Sequence, residues 1–328
     1  MDKALPNRTH DLPDDCLVQE VTLRGHGLTA KVLTLGAVVR ELKLEGHEPS
    51  VVLGYENVAS YVTNHGFLGA IVGRYANRLK DGQFQIDGQR FQVDRNDNGN
   101  ALHGGSQGTW AQIWEISEQG DDFVTLTLSL PDGHMGFPGQ LDIACRYSVK
   151  PNATLDVQIT AQTDAPTLCN LTPHCYFNLD GLADVANHQL QIKSARYVPV
   201  DTAGIPLGHI ESSNASMDFR SPRPAHDANL DVSYCFDTSQ GLQEHALLTS
   251  DTSGRSVKVL SNQPGLQVFN AAQMQTPENG HAGTPYGPFC GVAFEPQIWP
   301  DAPNQDGFPD AVLRPSETYL NHSQFRFS

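Results

Sequence analysis

Apolar residues in this chain recur at every second position, in short runs cut off by Gly, Pro, Asn and Asp. Val124, Leu126, Leu128 and Leu130 alternate with small hydroxyl residues, and Leu155, Val157, Ile159 and Ala161 repeat the pattern in the next segment. Shorter alternations stand at Leu190/Ile192, Val198/Val200, Val257/Val259 and Leu266/Val268. A period of two puts alternate side chains on opposite faces of an extended chain, so each run reads as a strand with one buried face. Breakers such as Pro131-Asp132-Gly133 and Lys150-Pro151-Asn152 separate them, and no helical period persists beyond a few turns. With 29 Gly and 21 Pro spread evenly, there is neither a linker nor a short repeat. The expectation is an all-β chain, one large antiparallel β-sandwich over residues 1–328, with 1–15 as a loose lead-in. Its edges should be masked by the loops 204–230 and 275–290.

Composition narrows the partners. A chain of 328 residues with 39% hydrophobic and 18% charged residues can bury a substantial core. Its formal charge of −16 argues against nucleic acid or an anionic membrane surface, both of which need a basic footprint. A small neutral polar ligand fits better. The opening MDKALPNRTHDLPDD lacks the apolar core of a signal peptide, and no apolar run approaches membrane-spanning length. Six scattered cysteines without framework spacing read as reduced, buried thiols, which points to the cytoplasm. Cys169, His174 and Cys175 lack the C-x-x-C spacing of a zinc site, so neither metal nor cofactor is expected. Monomer and homodimer are both open.

Three segments carry polar chemistry. Residues 69–105 join Asn77-Arg78 to His103-Gly104-Gly105 through a hairpin, in which Phe84 and Ile86, then Phe91 and Val93, alternate around an Asp87-Gly88 turn. Glycines beside His103 let the backbone bend sharply or let a ligand approach closely. Taken alone, Arg78 could equally be a solvated charge and His103 an ordinary loop residue. In Cys169–Leu179 an extended chain puts His174, Tyr176 and Asn178 on one face and Cys175, Phe177 and Leu179 on the other. The polar three could line a concave surface, with donors beside a flat ring, as sugar hydroxyls require. A histidine satisfied by a backbone carbonyl inside a sheet is the alternative. In Gly291–Asn304, Glu295 ends an apolar run and Trp299 offers a stacking face. Glu295 is either exposed at a strand end or buried, and burial would lift its pKa from ~4.3 towards that of a useful base. Asp231 and Gln267 are further polar residues in apolar neighbourhoods.

Taken in order, GRYANR, NALHGG, HCYFNL, LDVSYCF, QPGLQVF and FEPQIWPDAPN, closing on LRPSETY, resemble the aldose 1-epimerases, or galactose mutarotases, from about residue 20 to the C-terminus. That resemblance implies a supersandwich of antiparallel sheets with an open sugar cleft. It implies Glu295 as general base, His174 as general acid and His103 as the second active-site histidine. Asn77, Arg78, Asp231 and Gln267 match positions that bind sugar hydroxyls. Pro173 stands where the family commonly has Asn, and Phe294 and Pro296 replace the more usual neighbours of the base.

The chemistry calls for these residue types. Anomers interconvert when the ring opens, the C1–C2 bond turns and the ring closes on the other face. Opening removes a proton from the anomeric hydroxyl and delivers one to the ring oxygen, which a carboxylate and an imidazolium on opposite sides of the hemiacetal can do together. Three competing readings are weighed. A hexose-6-phosphate epimerase would need an arginine cluster, for which Arg74 and Arg78 are candidates. A non-catalytic sugar-binding protein on the same fold could dispense with Glu295 or His174, yet both are present. A glycosidase would need two facing carboxylates in place of a carboxylate with histidines.

Overall fold

The computed structural model describes residues 7–12, 16–64, 66–238 and 241–328. Strands dominate, and the described helical turns are short 3-10 segments. Among the described residues no helix is long and apolar enough to cross a membrane. Among the described residues every strand ladder is antiparallel. Part of the expected lead-in is ordered: Arg8–Leu12 pairs with Cys16–Gly25 at the edge of a four-stranded sheet. Residues 1–6 and 13–15 lie outside the described residues.

The largest sheet has nine strands. At its centre lie Leu141–Lys150, Thr154–Thr163 and Tyr319–Phe327, hydrogen-bonded in that order. Leu155, Val157, Ile159 and Ala161 are buried as their alternation demands, as are Val124, Leu126 and Leu130, with Leu128 partly covered. A six-stranded sheet packs against it, running Tyr176–Phe177, Val292–Gln297, Gly265–Phe269, Asp231–Cys235, Arg196–Val198, Glu211–Ser212. Val21 and Leu23 of the four-stranded sheet, Ile159 and Phe325 of the nine-stranded sheet, and Val292 and Phe294 of the six-stranded sheet share one apolar core. Phe294 therefore serves the core, while its neighbour Glu295 projects to the other face.

The 204–230 loop does mask edges, by contributing the short outer strands Glu211–Ser212 and Arg223–Pro224 to the two larger sheets. The 275–290 loop is pinned: Tyr286 Oη donates to Gly54 O (2.9 Å), its backbone N–H donates to Thr276 Oγ1 (2.8 Å), and His281 Nε2 bonds Arg40 O (2.9 Å). The hairpin forms as its turn residues dictate, Gln83–Ile86 against Gln89–Gln92, with Phe84 stacked on Phe91. Asp87 (φ 50°) and Gly88 (φ 83°) both take positive φ, the turn whose twist matches the strands. Pro296 sits inside a strand but beyond the short ladder with Tyr176–Phe177, and its carbonyl accepts from Thr172 Oγ1 and Asn321 Nδ2, both at 2.7 Å. Pro173 likewise fits a two-residue ladder with Ile71–Val72.

Candidate active site

Glu295 lies on Val292–Gln297 directly across from Gln267, which in turn pairs with Ser233. Three neighbouring strands thereby carry Glu295, Gln267 and Asp231 to one face of the six-stranded sheet. His174 reaches the same place from the turn between Thr172–Pro173 and Tyr176–Phe177, and its backbone is fixed by N–H donation to Ala70 O (2.9 Å) and by Gly69 N donating to its carbonyl (3.0 Å). Across the opening, Arg78–Leu79 pairs with Ala101–Leu102, so Asn77 and His103 flank one end of a short ladder. His103 N donates to Asn77 O (3.1 Å), and Asn77 N donates to His103 Nδ1 (3.2 Å). Gly104 (φ 83°) is obligatory here, because a Cβ would lie 1.8 Å from Gly73 O.

Glu295, Asp231, His174, Asn77, Arg78 and His103 line a cleft of about 460 Å³, with Phe67, Tyr176, Phe269 and Met274 as its apolar walls. His174 Nε2 stands 3.4 Å from Glu295 Oε1, and both side chains are almost wholly buried. The expected placement on opposite sides of a hemiacetal is corrected by this distance: acid and base stand side by side. That arrangement still serves, because the two oxygens to be addressed are bonded to one carbon. Burial raises the Glu295 carboxyl well above its ordinary range, reinforced by Asp231 and opposed by Arg78. Burial also lowers His174, to about 4. His103 falls well below its ordinary value through burial, then through His174 and Arg78.

His103 accepts at Nδ1, so its neutral ring carries the proton on Nε2 and offers the cleft a donor. His103, His174 and Glu295 have ligand atoms within 4.8 Å of one another and form a group that could hold a metal ion. The tautomer opposes that use, since a metal would need the lone pair at Nε2 that the Asn77 contact leaves protonated. Arg78 is held by Asp97 (Nε to Oδ2, 2.8 Å) and lies 3.9 Å from Asp231 Oδ2. Asn77 Oδ1 accepts from Arg78 N (2.8 Å), so the side-chain amide N–H group is what it can offer a ligand.

Several assignments move. Gln267 is not among the cleft-lining residues; its Nε2 donates to Asp231 Oδ1 (2.6 Å) and sets that carboxylate. Asn178 turns away to donate to Cys290 O (2.8 Å) and Leu182 O (2.9 Å), because the chain is not a regular strand past Phe177. Trp299 packs edge-on to Phe308 and donates to Pro264 O (2.8 Å), outside the cleft. Arg74 is buried with its guanidinium on the carbonyls of Leu130, Pro131, Pro138 and Gly139, so no arginine cluster forms with Arg78. Phe67 and Met274 carried no sequence signal, since each sits in a loop without periodicity.

A buried carboxyl–imidazole pair in an open cleft, with a histidine donor and further hydrogen-bonding side chains around it, sets paired acid–base groups on a β-supersandwich. The family model described as "Aldose 1-epimerase" matches residues 19–326. Rat galactose mutarotase is 32% identical over 95% of this chain and 94% of its own length. The aldose 1-epimerase of Escherichia coli K12 is 32% identical over 96% of each. Among solved structures, an aldose epimerase homologue from C. elegans superposes with a TM-score of 0.90 at 28% identity, covering 95% of this chain and 99% of that one. Galactose 1-epimerase from Lactobacillus acidophilus gives 0.85 at 26% identity, covering 98% of each. The chain belongs to the aldose 1-epimerase family. It is an isomerase, and its activity is aldose 1-epimerisation.

Proposed function

We propose that this chain interconverts the α- and β-anomers of free aldohexoses such as galactose and glucose, with Glu295 as base and His174 as acid. The observation that carries the reading is the buried His174–Glu295 contact of 3.4 Å on the wall of the cleft. In opening, Glu295 takes the proton of the anomeric hydroxyl while His174 gives one to the ring oxygen, and the C1–O5 bond breaks as the aldehyde forms. In closure, His174 recovers its proton and Glu295 returns its own to the new hydroxyl. The pair thus carries one proton throughout. Burial favours the neutral form of each partner. His103 donates through Nε2, and Asn77, Arg78 and Asp231 hold the remaining hydroxyls, with Gln267 orienting Asp231.

The same reading takes the chain as one domain, working in a reducing cytoplasm, a placement supported by five buried free thiols. Whether it does so as monomer or homodimer is read by light scattering. Polarimetry on freshly dissolved α-D-galactose and α-D-glucose tests the activity. Catalysed decay of rotation is expected, and a rate equal to that of buffer would sink the proposal.

A further inference from the structure

We propose that Phe67 is a positioning residue that holds the two active-site imidazoles in register for proton transfer, an inference that rests on the epimerase reading above. Phe67 has a backbone φ of +57°, a left-handed conformation that a bulky L-residue adopts only when its surroundings impose it. The turn that imposes it is built onto His174. Phe67 N donates to Asn64 O (2.8 Å), Ala70 N donates to Phe67 O (3.1 Å), and the adjoining Gly69 and Ala70 exchange hydrogen bonds with the backbone of His174. Tyr176 Oη closes the other side on Gly66 O (2.9 Å).

The turn places the ring against both histidines, which also touch each other. Its centroid lies 4.6 Å from His103 in an edge-on contact, 6.0 Å from His174, and 5.2 Å from Trp110, which backs it. This matters because His174 Nδ1 has no hydrogen-bond partner in another residue. Among the described residues no other side chain or backbone group therefore holds the far side of that ring by a hydrogen bond. On that side the ring packs against Phe67, His103 (5.2 Å) and Tyr176 (5.0 Å). A phenylalanine wanted only for the core would be fully buried in an unstrained conformation. Phe67 is half-buried and lines the cleft. With the ring in place, the apolar wall keeps water from bridging the His174–Glu295 contact, and the acid faces the ring oxygen in one orientation.

The test is a set of three variants, Phe67→Leu, Phe67→Ala and Phe67→Tyr, assayed by polarimetry against pH alongside the parent enzyme and followed by thermal melts. Leucine and alanine should lower kcat by about tenfold or more, with KM moving less than kcat. Their acid limb should shift to higher pH as water reaches His174. Tyrosine, which keeps the ring, should restore most of kcat and the parental limbs. A folded leucine variant with parental kcat and pH limbs overturns the proposal. So does a rise in KM alone, which would make Phe67 a sugar-stacking surface, and so does a tyrosine variant as impaired as alanine. If the parent enzyme itself fails to mutarotate free aldoses, the epimerase reading falls; if it turns over and the leucine variant matches it, only the role of Phe67 falls.

Discussion

Glu295 is costly to the fold when it is ionised. Its carboxyl is buried, Oε2 has no partner among the described residues, and its folded pKa stands well above the ordinary 4.5. A group whose folded pKa is raised gives the fold its full contribution below the unfolded pKa, and that contribution is lost as pH rises through the folded value. Glu295→Gln keeps the shape and removes the ionisation. Mutarotation should therefore fall by about 10²–10⁴-fold, while the melting temperature rises above the parent's at neutral and alkaline pH and converges with it below about pH 4. Paired polarimetry and melts at several pH values check both halves. Near-parental activity would remove Glu295 from the chemistry, and a variant less stable at pH 8 would contradict the burial argument. His174→Ala should lose activity on the same scale, and a folded variant keeping most of its rate would return His174 to a structural role.

Elements decide where those residues go, and they explain which parts of the site could be read from sequence. The Asp87-Gly88 hairpin was legible because its turn chemistry is local. At Gly104 the sequence offered a sharp bend or a ligand's close approach, and the structure shows a left-handed turn packed against the carbonyl of Gly73. Gly104→Ala should cost well over ~1 kcal/mol in urea melts and lower activity by displacing His103; a cost below that would mean that the turn can yield. The reading that put His174, Tyr176 and Asn178 on one face held for the first two only. Period-two logic needs a continuous strand, and this segment is paired merely at Thr172–Pro173 and Tyr176–Phe177. Gln267 lies on a suitable strand and Trp299 just past the end of another, but whether a side chain meets a ligand or a neighbour depends on contacts made far away in sequence. Within the strand Gln243–Ser250, His245 has no hydrogen-bond partner at either ring nitrogen among the described residues and stacks on Phe236 at 3.7 Å. Burial lowers its pKa to about 3. The unfolded chain therefore takes up a proton there that the fold refuses, and stability drains as pH falls from about 6.5 towards 3. His245→Leu should raise stability at neutral pH by about 1–3 kcal/mol and flatten the acid side of the melting profile. An unchanged acid slope would show that other groups govern it.

At the scale of the whole molecule, charge separates the free-sugar reading from its nearest competitor. The chain carries a formal −16, and among the described residues lining the cleft Arg78 is the one Lys or Arg. That guanidinium is already held by Asp97, with Asp231 close by, while Arg74 is spent on buried carbonyls. A phosphate dianion would meet neither a free fork nor an attractive field, and Asp231 and Asp97 would repel it. Galactose 6-phosphate should therefore be converted with a kcat/KM lower than that of galactose by about tenfold or more at low ionic strength. The penalty is partly long-range, so it should shrink as salt is raised towards 0.5 M, where screening shortens to about 4–5 Å, while the rate on neutral galactose stays nearly constant. Coupled polarimetric runs on both sugars across a salt series measure this directly. Equal rates at low salt would mean that cations outside the described lining reach the C6 end, and would move the substrate class to the phosphorylated sugar.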